Sequence, residues 1–144
     1  MDEGESMDKC YQCKGEMVPG EVPVRLVVSG RDYRKMVPGL ICQNCGEGYV
    51  DIAVGEGFEE EIALELAMNG PLTGSAFRLM RKVMGYSSGE VAALFQVDPA
   101  TISRWEKEKQ PINPHVVVLL GSMLLERANN EHTTEDRIRR LLAA

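Results

Sequence analysis

All four cysteines of this 144-residue chain lie within its first 45 residues, in two pairs spaced C-x-x-C. The pairs are Cys10 with Cys13 and Cys42 with Cys45. A turn with this spacing presents two sulfur atoms to one ion, and two such turns complete a tetrahedral thiolate site for Zn²⁺. Four thiolates leave no open coordination position, so we expect one structural zinc per chain. A domain of only about 45 residues is near the size at which a metal is needed to hold the fold.

Three other chemistries compete with zinc for these cysteines. Disulfides are disfavoured in a reducing compartment, and a thioredoxin-like motif needs a single C-x-x-C beside a βαβ pattern that this sequence lacks. The spacings also differ from those of ferredoxin iron–sulfur clusters. The acidic start MDEGESMDK is unlike a secretory signal, and no apolar run approaches the ~18 to 20 residues of a membrane span. We therefore expect a cytoplasmic protein with reduced thiols and no membrane partner.

The segment between the cysteine pairs has the pattern of a β-hairpin. Residues 22–28 and 32–37 are rich in β-forming side chains, and Ser29-Gly30-Arg31 between them is typical of a turn. This predicts a zinc-binding β domain over residues 7–54, preceded by a disordered leader over residues 1–6. Two glycines that follow the cysteine pairs are expected to supply the positive φ of each turn: Gly15 and Gly46.

From residue 55 onward the pattern becomes helical. Residues 55–72 are interpreted as an acidic helix and linker, with glutamates 59–61 in the first helical turn. Residues 73–127 are predicted to form a helix-turn-helix DNA-binding domain, and residues 128–144 a tail with a short helix capped by Thr134. The predicted fold class is α+β, in which a zinc-stabilised β-hairpin domain precedes an all-α five-helix domain.

The helical domain contains two strong start signals close together. Ser87 with Glu90 three residues later is a capping-box pattern, and Asp98 followed by Pro99 marks the start of the next helix. Two short helices joined by a tight turn form a helix-turn-helix, whose second helix reads DNA. The helices predicted here cover residues 75–84, 88–95 and 98–107, followed by an apolar helix from His115.

The second helix of this motif carries the side chains suited to base recognition. Arg104 can pair with guanine O6 and N7 through two hydrogen bonds, and Thr101 can offer a methyl group to thymine or a hydroxyl to phosphate. A plain helical bundle that happens to expose Arg and Lys is the alternative. The predicted DNA-binding residues are Ser87, Ser88, Ala100, Thr101, Ser103, Arg104, Lys107 and Lys109.

Residues 86–107, YSSGEVAALFQVDPATISRWEK, resemble the helix-turn-helix of the Cro/repressor (Xre) family. The chain contains, in order, C-x-x-C, GEMVPG, a hairpin, PGLICQNCGEGYVD, an acidic helix and a helix-turn-helix pattern. This order of parts resembles the YgiT-type zinc finger/helix-turn-helix family over about residues 7–126. This resemblance implies structural zinc on the four cysteines, and a C-terminal domain that binds operator DNA and pairs two chains. Antitoxins belong to this family. Gln96 stands where the turn usually has Gly, which implies backbone strain.

The charges divide unevenly along the chain. Residues 1–74 carry six Lys and Arg against fourteen Asp and Glu, whereas residues 75–144 carry ten against eight. Such an asymmetry suggests two domains with different partners, although an acidic surface can also serve solubility alone. The basic half would bind DNA, and the acidic half would bind a small basic toxin protein.

These observations predict a dimeric, zinc-containing transcriptional repressor of antitoxin type that binds a palindromic operator in double-stranded DNA. Two alternatives remain: a stand-alone zinc-containing regulator without a toxin, and an adaptor in which both domains bind proteins. The sequence contains no nucleophile elbow, phosphate loop or HExxH motif, so we expect no enzyme activity.

Overall fold

The computed structural model describes residues 9–142, so the leader predicted over residues 1–6 lies outside the described part. The fold is α+β, with a sheet of strand order β1-β2-β3 followed by six helices in that part of the chain. The predicted class is confirmed, but the helix count differs slightly: the segment predicted as a five-helix domain contains four helices, with one further helix before it and one after it. The elements are β1 (Met17–Val28), β2 (Arg31–Cys42), β3 (Gly48–Tyr49), α1 (Ile52–Asn69), α2 (Gly74–Val83), α3 (Ser88–Phe95), α4 (Pro99–Glu106), α5 (Pro114–Ala128) and α6 (Thr133–Leu142).

The hairpin strands are longer than the β-rich runs of the sequence. β1 and β2 have twelve residues each, and Ser29 and Gly30 turn the chain between them with φ of 56° and 77°. The short β3 then pairs antiparallel with β2, with Leu40 opposite Tyr49. Pairing with a neighbouring strand holds residues of low β-propensity in extended conformation, so propensity alone underestimates the length.

Helix α1 begins earlier than the sequence suggested. The carbonyl of Asp51 accepts hydrogen bonds from the amides of Val54 and Gly55, which places the first turn at Ile52. No acidic residue lies in that turn, so the prediction that glutamates 59–61 occupy it was wrong. Glycine disfavours a helix by only about 1 kcal/mol, and flanking helical residues can offset this.

The helical core is built on α2, which packs against α4 and α5. Phe77 of α2 is fully buried and meets the ring of Trp105 edge-to-face, with 6.3 Å between ring centroids. Ile102 and Trp105 face this core, as the sequence predicted. The predicted helix starts are also confirmed: Ser87 forms a capping box at α3, and the Asp98 side chain accepts from the amide of Ala100.

Helix α6 is held by a cluster of polar side chains. The buried carboxylate of Glu135 accepts hydrogen bonds from Arg127 at 3.0 Å, Arg139 at 3.1 Å and the hydroxyl of Tyr86. Arg127 also donates to the carbonyl of Met84 at 2.7 Å. The cluster therefore fixes α6 to α5 and to the α2–α3 turn.

The cap predicted for the C-terminal helix is not the one observed. Thr134 lies inside α6, and its hydroxyl donates to a carboxylate oxygen of Glu126 at 2.6 Å, while its amide donates to the other oxygen. Because α6 already begins at Thr133, Thr134 is not its N-cap and instead joins α6 to α5.

The described chain divides into two compact units. Unit 1 comprises residues 9–26 and 32–58 and contains the four cysteines. Unit 2 comprises residues 27–31 and 59–142 and contains helices α2 to α6. A search of residues 9–142 for a helix of the length and apolarity that a membrane crossing requires finds none.

Candidate metal centre and nucleic-acid interface

The four cysteine sulfur atoms form one cluster in unit 1, with all of them within 4.8 Å of one another. Two hairpin-like turns supply them, one before β1 and one between β2 and β3. The closest sulfur pairs join the two turns: Cys10 to Cys45 at 3.7 Å and Cys13 to Cys42 at 3.5 Å. Cys10 and Cys42 are buried, whereas Cys45 is exposed.

This sulfur geometry fits a tetrahedral metal site. Zinc–sulfur bonds of about 2.3 Å place tetrahedral sulfur atoms roughly 3.8 Å apart, close to the two measured separations. Disulfides would require about 2.05 Å, and the four thiols are free. The four cysteines can therefore hold one metal ion, and borderline-soft Zn²⁺ suits an all-thiolate donor set.

Hydrogen bonds to the sulfur atoms orient these thiolates. Backbone amides of Gln12 and Gly15 donate to Cys10 and Cys13 at 3.3 and 3.4 Å. Side chains add to them: Asn44 donates to Cys13 at 3.3 Å, and the Tyr49 hydroxyl lies 3.5 Å from Cys10. Such outer contacts fix ligand orientation in metal sites.

The same contacts change thiol acidity. The Tyr49 hydroxyl lowers the pKa of Cys10 to about 6, and Asn44 lowers the pKa of Cys13. The amide of Glu47 acts to lower the pKa of Cys45, but partial desolvation of its sulfur within the cluster and the other three sulfur atoms outweigh it and raise that pKa to about 12. Four adjacent thiolates repel one another, so a bound cation is what makes the fully ionised set favourable.

The glycines beside the cysteines have different roles from those predicted. Gly46 has a φ of 79°, as expected, but in the first turn the positive φ of 66° belongs to Lys14 and not to Gly15. Gly15 is instead required by space, because a Cβ there would lie 2.8 Å from the sulfur of Cys42. The sequence spacing indicated a glycine but not which constraint it meets.

In unit 2, α3 and α4 pack against each other across a tight turn. Gln96 closes α3 with a φ of 56°, and Val97 donates to the carbonyl of Ala92 at 2.9 Å. This left-handed residue is the strained position that the missing glycine implied. The two short helices are thus joined by a tight turn that Gln96 closes.

The predicted reading residues lie along α4 and at the start of α3, with differing exposure. Ala100, Arg104 and Lys107 are exposed, while Thr101 and Ser103 are half-buried. Ser87 and Ser88 are exposed at the start of α3, and Lys109 is exposed in the loop after α4. The Ser87 oxygen already accepts from the amide of Glu90, so only its O–H remains to donate.

A buried ion pair that we did not predict positions α4. Arg81 of α2 donates twice to the carboxylate of Glu106, at 2.6 and 2.7 Å, and the two side chains are 12% and 8% exposed. Arg81 also donates to the carbonyl of Tyr86 at 3.0 Å. One guanidinium therefore joins α2, the α2–α3 turn and α4. Charges 25 residues apart on separate helices carry no local pattern that would reveal such a pair.

Gln110 is the second residue that sequence reasoning missed. Its Oε1 accepts a hydrogen bond from Nε of Arg104 at 3.1 Å. Nη2 of Arg104 also donates to the Thr101 hydroxyl at 3.3 Å. The predicted base reader is therefore held by two partners.

The chain matches no protein-family model and no curated protein.

Proposed function

We propose that this protein is a sequence-specific DNA-binding transcriptional repressor of antitoxin type. The observation that carries the proposal is the α3–turn–α4 connection with Arg104 exposed on its second helix. The short helices, their capped starts and their tight turn have the form in which a second helix enters the major groove. The resemblance of residues 86–107 to Xre-type motifs supports the same function.

The charges around α4 favour an anionic ligand. Arg104, Lys107 and Lys109 are exposed, whereas the nearby carboxylate of Glu106 is already paired with Arg81. Arg104 would read a guanine through O6 and N7, and Thr101 and Ala100 would meet a thymine methyl. Ser103 would add a polar contact within the groove.

Phosphate contacts would set the register of the motif on DNA. Ser87 and Ser88 are exposed at the start of α3, and their hydroxyls can donate to phosphate oxygens. Lys107 and Lys109 are exposed cations at the other end of the motif. Such contacts position the protein without reading sequence.

We further propose that a homodimer binds a palindromic operator. One motif with few cations binds DNA weakly, and two motifs that bind two half-sites overcome this. Val118 of α5 and Leu141 and Leu142 of α6 are exposed apolar residues of unit 2 that a second chain would cover. The half-sites would lie about 10 base pairs apart, or a multiple of this.

Unit 1 would bind a small basic toxin protein. Residues 1–74 of the sequence hold fourteen acidic residues against six basic ones, of which residues 9–26 and 32–58 hold six and five, and four thiolates on one Zn²⁺ add further negative charge. Tyr11, Met36 and Ile52 are exposed apolar side chains of this unit that can contribute binding energy. The acidic surface would attract a basic partner and repel DNA phosphates.

DNA binding is tested by selecting duplexes from a random library with the zinc-loaded protein. We expect Arg104→Ala to cost about 1 to 3 kcal/mol on the selected site and to relax preference at one base position. Lys109→Ala should weaken all sequences alike and lower the salt slope by about one unit. Failure of the wild-type protein to enrich any sequence would refute the proposal.

The toxin partner is tested by co-purification from the native host. The full chain should retain a small basic protein, and a chain without residues 7–70 should not. If neither retains one and deletion of residues 7–70 leaves cell growth unchanged, the protein is a regulator without a toxin.

A further inference from the structure

Arg104 is restrained although it is exposed. Its guanidinium donates to two acceptors, from Nε to Oε1 of Gln110 at 3.1 Å and from Nη2 to the Thr101 hydroxyl at 3.3 Å. An exposed arginine ordinarily samples many rotamers and loses that freedom when it binds a ligand. Two hydrogen bonds on one guanidinium restrict its rotamers before binding, so that less side-chain entropy is lost when a ligand binds.

The amide of Gln110 has a defined orientation in this contact. Nε of arginine is a donor only, so the atom of Gln110 that faces it is the oxygen. Within residues 9–142, the amide nitrogen of Gln110 makes no hydrogen bond that would favour the opposite orientation. Gln110 therefore acts on Arg104 as an acceptor.

The loop that carries Gln110 is itself fixed to the end of α4. Glu108 has a φ of 57°, its amide donates to the carbonyl of Trp105, and the amide of Lys109 donates to the carbonyl of Arg104 at 2.9 Å. These two bonds form the Schellman closure of a helix C-terminus. Pro111 follows Gln110 and restricts its backbone further. The closure of α4 thus positions the Gln110 side chain beside Arg104, a residue of the same helix.

The restraint determines which edge of Arg104 remains for DNA. A guanidinium has five N–H donors, and Gln110 and Thr101 take one each. Because the Nε donor is occupied, the edge formed by Nε and Nη2 is closed, and two parallel bonds to guanine require Nη1 and the Nη2 N–H that Thr101 does not take. These are the end-on donors, which point along the axis of the side chain.

We propose that Gln110 is a specificity-determining positioning residue, which holds Arg104 so that its end-on N–H groups meet a guanine. Gln110 acts through Arg104 and need not touch the base. This inference rests on the proposed function, because it requires that Arg104 reads DNA.

Two variants of the full, zinc-loaded chain test the proposal. Gln110→Met keeps the length of the side chain but removes the acceptor, and Gln110→Asn keeps the amide but withdraws it by one methylene. Lys109→Met, one residue away, is the control that removes a charge instead. The probes are the duplex selected by the wild-type protein, the same duplex with single base changes, and a scrambled duplex. Fluorescence anisotropy at fixed salt gives the affinities, and thermal unfolding checks that each variant is folded.

We expect both Gln110 variants to reduce discrimination about five- to tenfold at the base that Arg104→Ala also relaxes. Discrimination at the other positions should be unchanged, and affinity for scrambled DNA should stay within about twofold. Lys109→Met should give the opposite result, with weaker binding to every duplex and unchanged discrimination.

Two results would overturn the inference while leaving DNA binding intact. One is full discrimination by both Gln110 variants when Arg104→Ala has lost it. The other is an equal loss on selected and scrambled duplexes, which would make Gln110 a general affinity contact. A wild-type protein that selects no sequence would instead refute the proposed function, and this inference with it.

Discussion

Glu135 is buried although it is charged, and its partners explain why it stays ionised. Burial alone would raise the pKa of this carboxyl, but hydrogen bonds from Arg127, Tyr86 and Arg139 outweigh burial and lower the pKa to about 2. Arg127 and Arg139 are 30% and 53% exposed, so each can reach water if the carboxylate is removed. The carboxylate therefore depends on the arginines more than they depend on it.

Glu135→Gln should lower the free energy of unfolding by about 1 to 3 kcal/mol at pH 7, because a neutral amide replaces the charged acceptor that Arg127, Arg139 and Tyr86 share. The folded pKa of about 2 lies below the ordinary 4.5, so this stability is present above pH 4.5 and is lost as the pH falls towards 2. Urea unfolding at pH 7, 4.5 and 3 should show that the difference in free energy of unfolding between Glu135→Gln and wild type becomes smaller as the pH falls. The exposed control Glu131→Gln should stay within about 0.5 kcal/mol at pH 7. A difference for Glu135→Gln that does not change with pH would contradict the assignment.

The backbones of two helices come into close contact where the start of α2 passes the end of α4. A Cβ on Gly74 would lie 1.7 Å from the carbonyl oxygen of Trp105 and 2.7 Å from its carbonyl carbon. Both atoms are backbone, so neither can rotate away. The Arg81–Glu106 ion pair joins the same two helices, and together these contacts set the direction of α4.

Gly74→Ala should destabilise unit 2 by about 1 to 3 kcal/mol, because α2 or α4 must shift to admit the methyl group. Gly89→Ala is a matched control, since a Cβ there would meet only the Ser87 oxygen at 3.9 Å and alanine favours a helix by about 1 kcal/mol. The midpoint of chemical denaturation should therefore fall for Gly74→Ala and rise for Gly89→Ala. Equal and small effects would show that the α2–α4 contact adapts freely.

Local signals predicted the elements better than the contacts between them. The capping box at Ser87, the Asp98-Pro99 start and the cysteine spacing each act within a few residues, and all three agree with the structure. Strand lengths, the start of α1 and the environment of Thr134 depend on neighbours distant in the chain. For the same reason the Arg104–Gln110 contact was missed, since it forms only when a helix end folds back.

For the whole molecule, the cysteine cluster predicts that metal binding and the folding of unit 1 depend on each other. Cys42→Ser should remove the bound zinc and unfold unit 1 while leaving the helices of unit 2 folded, because metal binding and folding are coupled in so small a unit. Tyr49→Phe removes only the hydroxyl beside Cys10, and should keep one zinc with affinity about 10- to 100-fold lower. Elemental analysis, chelator competition and circular dichroism measure these outcomes. Wild-type protein purified without chelator that contains no metal would contradict a zinc site.

The position of these contacts along the chain also orders their formation during synthesis. Cys45 completes the thiolate set early, whereas Glu135, which fixes α6, follows about 90 residues later. At roughly 5 to 20 residues per second, the ribosome adds that stretch in about 5 to 20 seconds. Under the proposed function, the unit that would bind a protein partner is therefore synthesised before the helices that would bind DNA. We then expect a nascent chain to bind that partner before it can occupy an operator.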